Sequence, residues 1–287
     1  MNAMRDLSDR VDFLAINTAT FGYQWPIEKT IDLLVARGVG GIAPWRREIE
    51  DSGADVGAVA RRIEDAGLVV TGYCRSRYLT GATTAERRAA IDDNRRALDV
   101  AATLGARCYV MMVGSMHDGS RDLEAARAQA LDGTAALLDH ARDVGVPLAL
   151  EPLHPMTAGD RSCLNTLGQA LDWCDQLDPA RDGGIGVAAD VYQIWWDPAL
   201  ETQIERAGAD RPLGFHLSDW LVPTRDLVTD RGMMGDGVIN LKAIRRSIEA
   251  AGYDSLCEVK IFSAENWWKR DPAETLDVCI ERFKSVV

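Results

Sequence analysis

Eight short apolar runs, each followed by a longer segment of helical period, constrain the fold of this chain more than any other feature. The runs are FLAINTA (13–19), GGIAPW (40–45), LVVTGYC (68–74), ARCYVMMVG (106–114), VPLALEPL (146–153), GIGVAAD (184–190), PLGFHLSDW (212–220) and SLCEVKIF (255–262). They lack polar alternation, as strands covered by helices on both faces do. Between them lie helical stretches such as PIEKTIDLLVARG and NLKAIRRSIEAAG, in which a glycine stands just past the helix and directly before the next strand. Pro26 suits the first turn of its helix. Eight such units predict a closed (β/α)₈ TIM barrel rather than a doubly wound open sheet, and barrels typically need about 250 residues. The chain has 287 residues and no Pro/Gly/Ser-rich linker, so a single domain over 1–287 is expected.

The net charge of −12 argues against a protein that grips phosphate backbones, so a small molecule rather than nucleic acid is the expected partner. The six cysteines form no CxxC pair, and several sit in apolar runs, where Cys behaves as a small buried hydrophobe. Reduced thiols and a cytoplasmic location follow as expectations. The leading MNAMRDLSDRVDF has no apolar stretch of the kind a signal peptide carries. No window approaches the ~18 apolar residues of a membrane span. Whether copies associate into a homo-oligomer is left open.

In such a barrel the C-terminal strand ends and the loops after them form the catalytic face. Four ionisable side chains fall there: Glu151 in LALEPL, Asp190 in GVAADVY, His216 in GFHLSD and Glu258 in LCEVKI. A carboxylate inside an apolar strand is costly unless it is paired or binds a metal. One could be a satisfied structural group; four on successive strands at the same end point to one divalent metal. Three carboxylates and an imidazole suit Mn²⁺, Mg²⁺, Co²⁺ or Zn²⁺, and oxygen-rich ligation leans toward Mn²⁺.

The order Glu–Asp–His–Glu, set in LALEPLHP, ADVYQIWWDP, HLSDWLVPTRDLVTDRGMMGDGVINL and CEVKIFS, resembles the sugar phosphate isomerase/epimerase superfamily, the xylose isomerase-like TIM barrels. The resemblance runs from about residue 12 to the end of the chain. It implies an isomerase or epimerase of a ketose, keto-sugar or related polyol, working through a metal-stabilised enediolate. Glu151 and Glu258 would be metal ligands that also exchange protons with the substrate, while Asp190 and His216 would be ligands only. The physical chemistry agrees: a metal bound to adjacent C–O groups acidifies the C–H between them, and a neighbouring glutamate takes and returns the proton. The same apparatus serves β-elimination of water, so a lyase like inosose or dehydroshikimate dehydratase is the alternative. Endonuclease IV shares the fold but uses many more histidines than the four of this chain.

Other residues are candidate substrate contacts. They are His154 in EPLHP, Arg161 in the loop after it, Trp45 at the end of the second run, and Arg225 and Arg231 in the long loop PTRDLVTDRGMMGDG. Asp226 and Asp230 offer each of those two arginines an alternative partner within the loop. Asp219 is a candidate to orient His216, because metal-bound histidines usually have a partner on the other ring nitrogen. Two positions depart from the family pattern. Gln193, in DVYQ, stands where related sequences carry histidine, and Lys260, in EVKIF, stands where an acidic residue is expected. Both are further candidate substrate contacts, Gln193 by hydrogen bonding and Lys260 as a cation for an anionic substrate, with a salt-bridged barrel lysine the equal alternative. Lys260 lies two residues past Glu258 and so shares its strand face.

Overall fold

The computed structural model describes residues 4–287. In chain order its strands are β1 (Leu14–Asn17), β2 (Gly41–Ala43), β3 (Val69–Val70), β4 (Tyr73–Cys74), β5 (Tyr109–Met111), β6 (Leu148–Leu150), β7 (Ile185–Asp190), β8 (Pro212–Leu217), β9 (Asp219–Trp220), β10 (Arg231–Gly232) and β11 (Cys257–Val259). Nine of these pair in parallel in the order β3-β2-β1-β11-β8-β7-β6-β5-β4. β3 and β4 are two pieces of one barrel position, separated by Thr71 and Gly72. Thr71 N–H still donates to Ile42 at 3.0 Å, Tyr73 N–H to Cys108 at 3.0 Å, and a parallel bridge links Trp45 to Cys74. The ring therefore closes across the third of the eight expected positions.

The helices between strands begin where the sequence supplies caps. Asp55, Asp122, Asn240 and Asp271 accept backbone N–H groups at the starts of Val56–Asp65, Leu123–Val144, Leu241–Ala250 and Pro272–Val286. Thr83 and Thr166 form reciprocal capping boxes with Glu86 and Gln169, which satisfy two otherwise orphaned donors at each helix end. Pro26 precedes the helix Ile27–Ala36 as its cap rather than lying in its first turn. Among the described residues, no helix is long and apolar enough to cross a membrane. All six cysteines are free and buried.

Strand register places the polar residues. His216 on β8 is paired with Asp190 on β7 and with Glu258 on β11, so the three side chains point to the same side of the sheet at one level. Two residues earlier on each strand, and therefore on the same inward face, stand Ala149 below Glu151, Ala188 below Asp190 and Gly214 below His216. Ala149 and Ala188 pack with Cys74, Cys108 and Val110 into a separate apolar cluster that fills the barrel beneath the charged layer. Gly214 is needed for space: a Cβ there would stand 3.0 Å from His216 Nε2.

The long loop expected after the seventh run is partly structured. β9 and β10 form an antiparallel ribbon in which Arg231 pairs with Trp220 and Gly232 with Asp219. That ribbon returns the chain to the barrel mouth and delivers Arg231 into it. A short helix, Arg46–Glu50, follows β2 and was not foreseen from the sequence.

Candidate active site

A cavity of about 1000 Å³ opens at the C-terminal ends of the barrel strands. Its lining follows one strand after another: Tyr23 after β1, Trp45 after β2, Arg75 and Arg77 after β4, Met112 after β5, Glu151 after β6, Gln193 after β7, Arg231 on β10, and Lys260 with Phe262 after β11. Trp45 meets Phe262 edge-on, with ring centroids 5.3 Å apart, so one wall is aromatic. Arg161 also lines the cavity.

Glu151, Asp190 and His216 bring one ligand atom each to within 4.8 Å of one another, and all three are buried. Their chemistry fits a divalent metal: two hard carboxylates and an imidazole, of which Glu151 lines the cavity and Asp190 and His216 are buried outside its lining. His216 Nδ1–H donates to Glu151 Oε1 at 3.0 Å, so Glu151 rather than Asp219 orients the imidazole. Asp219 spends both carboxylate oxygens on backbone N–H groups, those of Gly235 and Gly237 on one oxygen and of Trp220 and Ile239 on the other. Adjacency in sequence pointed it at His216; the returning loop claims it instead.

Glu258, expected as the fourth ligand, stays outside that group. Asn17 Nδ2 donates to its Oε1 at 2.8 Å and Thr71 Oγ1 to its Oε2 at 2.7 Å, and His216 Nε2 lies 3.8 Å from Oε1. Like Asp190 and His216, it is not among the side chains lining the cavity. Asn17 and Thr71 were not singled out from the sequence, although each is a polar residue within an apolar run, the same signal that marked Glu151.

Two cations complete the centre. Lys260 Nζ donates to Glu151 Oε1 at 2.5 Å and lies 3.7 Å from Asp190 Oδ2. Arg231 Nη1 donates to Asp190 Oδ2 at 2.9 Å and to the Lys260 carbonyl at 3.1 Å. The guanidinium lies over Tyr192 at 4.4 Å and Phe262 at 5.0 Å. Burial works to raise the Glu151 carboxyl, but the Lys260 ammonium and then His216 outweigh it and hold it below the usual carboxylate range. Burial likewise works to lower Lys260, and the charge of Glu151 more than offsets it, so the ammonium is held above its ordinary range.

The remaining candidates divide. Gln193 lines the cavity, and its Oε1 accepts the His154 N–H at 2.7 Å, which leaves its amide NH₂ available to a ligand. His154 is outside the lining; its ring stacks on Trp220 with centroids 4.7 Å apart, and its Nδ1 accepts the Met156 N–H at 3.2 Å. Arg225, expected to touch substrate, turns outward: its side chain is 60% exposed and is paired with Asp230. Of the two loop arginines, the bland ion pair holds for Arg225, and Arg231 alone reaches the centre.

The family model for the xylose isomerase-like TIM barrel matches residues 31–279. The chain belongs to that family. A crystal structure of protein SMc04130 from Sinorhizobium meliloti 1021 is 51% identical, with 96% of this chain and 99% of that one covered and a TM-score of 0.92. The fold is also similar to that of the IOLI protein with a binding zinc atom, at 17% identity, 96% and 97% coverage and a TM-score of 0.81. L-ribulose 3-epimerase is 19% identical over 94% of this chain and 91% of its own, with a TM-score of 0.75. The polar centre of this barrel sits at the strand ends, where the fold's catalytic sites lie.

Proposed function

We propose that the chain is a divalent-metal-dependent isomerase or epimerase of a ketose, keto-sugar or related polyol. The observation that carries this is the convergence of Glu151, Asp190 and His216 within 4.8 Å, with Glu151 lining a cavity of about 1000 Å³. The epimerase among the similar structures supports the substrate class. Glu151, Asp190 and His216 would hold the ion. Oxygen-rich ligation favours Mn²⁺, and the zinc of the IOLI structure makes Zn²⁺ the second candidate. Bound there, the ion would acidify a C–H flanked by two substrate oxygens.

Glu151 lines the cavity and would be the carboxylate that takes that proton and returns it. An isomerisation that moves a proton between neighbouring carbons needs this one group. An epimerisation needs a second on the opposite face, and Glu258 fills that role only by turning from Asn17 and Thr71 toward the cavity. Trp45 and Phe262 offer an apolar wall for the carbon skeleton, and the Gln193 amide offers a donor for a hydroxyl or carbonyl oxygen. Gln193 cannot titrate, so it positions substrate and carries no proton.

Enzyme reloaded with Mn²⁺ is incubated in D₂O with a panel of ketoses, keto-sugars and polyols and followed by proton NMR. Solvent deuterium at the carbon beside a carbonyl is expected, with a loss of roughly 10²-fold or more in Glu151→Gln. Loss of water from the substrate would replace this reading with a lyase, and no exchange across the panel would overturn it.

A further inference from the structure

The Lys260 ammonium occupies ground that a metal ion would claim. An ion bound by these donors sits about 2.0–2.2 Å from each nitrogen or oxygen. Glu151 Oε1 already accepts two hydrogen bonds, from Lys260 Nζ at 2.5 Å and from His216 Nδ1 at 3.0 Å. The same ammonium lies 3.7 Å from Asp190 Oδ2, whose charge is also met by Arg231 at 2.9 Å. Both cations are almost fully buried, Lys260 at 2% and Arg231 at 4% exposure. Like charges at such distances, away from water, repel far more than on a surface. Glu151 and Asp190 face Lys260 and Arg231, so two carboxylates already meet two cations, and adding a dication leaves an excess of positive charge.

We propose that Lys260 is a built-in competitor for the divalent ion: its ammonium holds the Glu151–Asp190 end of the centre and must release Glu151 before metal can bind. This rests on the metal-centre reading above. It makes Lys260 the residue that sets metal affinity. It also keeps the buried carboxylates compensated when no metal is available, so the fold does not depend on the ion. Once displaced from Glu151, the ammonium remains beside the cavity it lines, where it would meet an anionic or carbonyl oxygen of the substrate.

The test is isothermal titration of chelator-treated protein with Mn²⁺ alone, comparing the wild type with Lys260→Met and Lys260→Arg. Lys260→Met is expected to bind Mn²⁺ at least about tenfold more tightly than the wild type, and Lys260→Arg to stay as weak as the wild type or weaker. Thermal unfolding supplies a second readout: chelator should lower the midpoint of Lys260→Met more than that of the wild type, with Mn²⁺ restoring both. If Lys260→Met precipitates without metal, it is purified in Mn²⁺, and its metal is then expected to pass to a chromogenic chelator more slowly than that of the wild type. Equal or weaker binding by Lys260→Met, with binding still abolished in Asp190→Asn, overturns the competitor role and leaves the metal centre standing. Binding by none of the proteins overturns the metal centre and this inference with it.

Discussion

Arg231 is the most informative residue to remove. Its guanidinium donates to Asp190 at 2.9 Å and to the Lys260 carbonyl at 3.1 Å, lies over Tyr192 at 4.4 Å, and is 4% exposed. Arg231→Met keeps much of the apolar stem and deletes the charge. Breaking a buried ion pair by removing one partner costs about 3–5 kcal/mol, because the other charge is left in a poorly solvating interior. Loss of the stacking on Tyr192 adds to this, by about 1 kcal/mol. Lys260, 3.7 Å from Asp190, offsets part of the loss. The net is about 3–4 kcal/mol, and at this chain length roughly 2 °C of melting temperature per kcal/mol gives a fall of about 6–8 °C. Arg231→Lys keeps the charge without the planar stacking surface and should recover about half. Urea unfolding of the three proteins, with calorimetry as a check, measures this directly. A cost for Arg231→Met below about 1 kcal/mol would mean that Asp190 does not depend on Arg231 for its compensation.

Three further outcomes are expected. Gly214→Ala puts a Cβ 3.0 Å from His216 Nε2, so the imidazole must shift by a few tenths of an ångström, and metal affinity measured by titration should fall about tenfold while the fold persists. Asp219→Asn turns an acceptor of four backbone N–H groups into one bearing its own donors; it should cost about 2–3 kcal/mol and speed amide exchange at Gly235, Gly237 and Ile239, and unchanged exchange there would exclude its role in the loop. Burial raises Glu48 to about 7, although the Thr18 hydroxyl and the Trp45 backbone oppose it. A carboxyl raised in the folded state contributes stability that is present below its unfolded value and lost as pH rises through its folded one. The wild type should therefore lose up to about 3 kcal/mol between pH 4.5 and pH 7–8 from this group, and Glu48→Gln should flatten that slope in urea melts; equal slopes would contradict it.

Much of the barrel was legible because its strands are short, apolar and glycine-bounded, and each of the eight runs contains strand residues. The break at Thr71–Gly72 was not, since both halves sit inside one apolar run and only pairing with different neighbours divides them. Glu151, Asp190 and His216 were found because an ionisable side chain in an apolar strand needs a partner. What each partner is could not be read from spacing. Asn17 and Thr71 lie 241 and 187 residues from the Glu258 they hold, a proximity that barrel closure alone creates. Arg225 and Arg231 had equal claims within the same loop until the β9–β10 ribbon turned one outward and the other in. Lys260 stood out as a departure from the family pattern that shares a strand face with Glu258, and it lines the cavity and pairs with Glu151. That its nearest partner would be Glu151 depends on the curvature that brings β6 and β11 across the barrel from each other.

The most direct measurement is anomalous diffraction from crystals of the protein soaked in Mn²⁺. A single peak is expected, coordinated by Glu151, Asp190 and His216, with Lys260 Nζ moved off Glu151 Oε1. A density map with no peak at those residues, and Lys260 still bonded to Glu151, would contradict it.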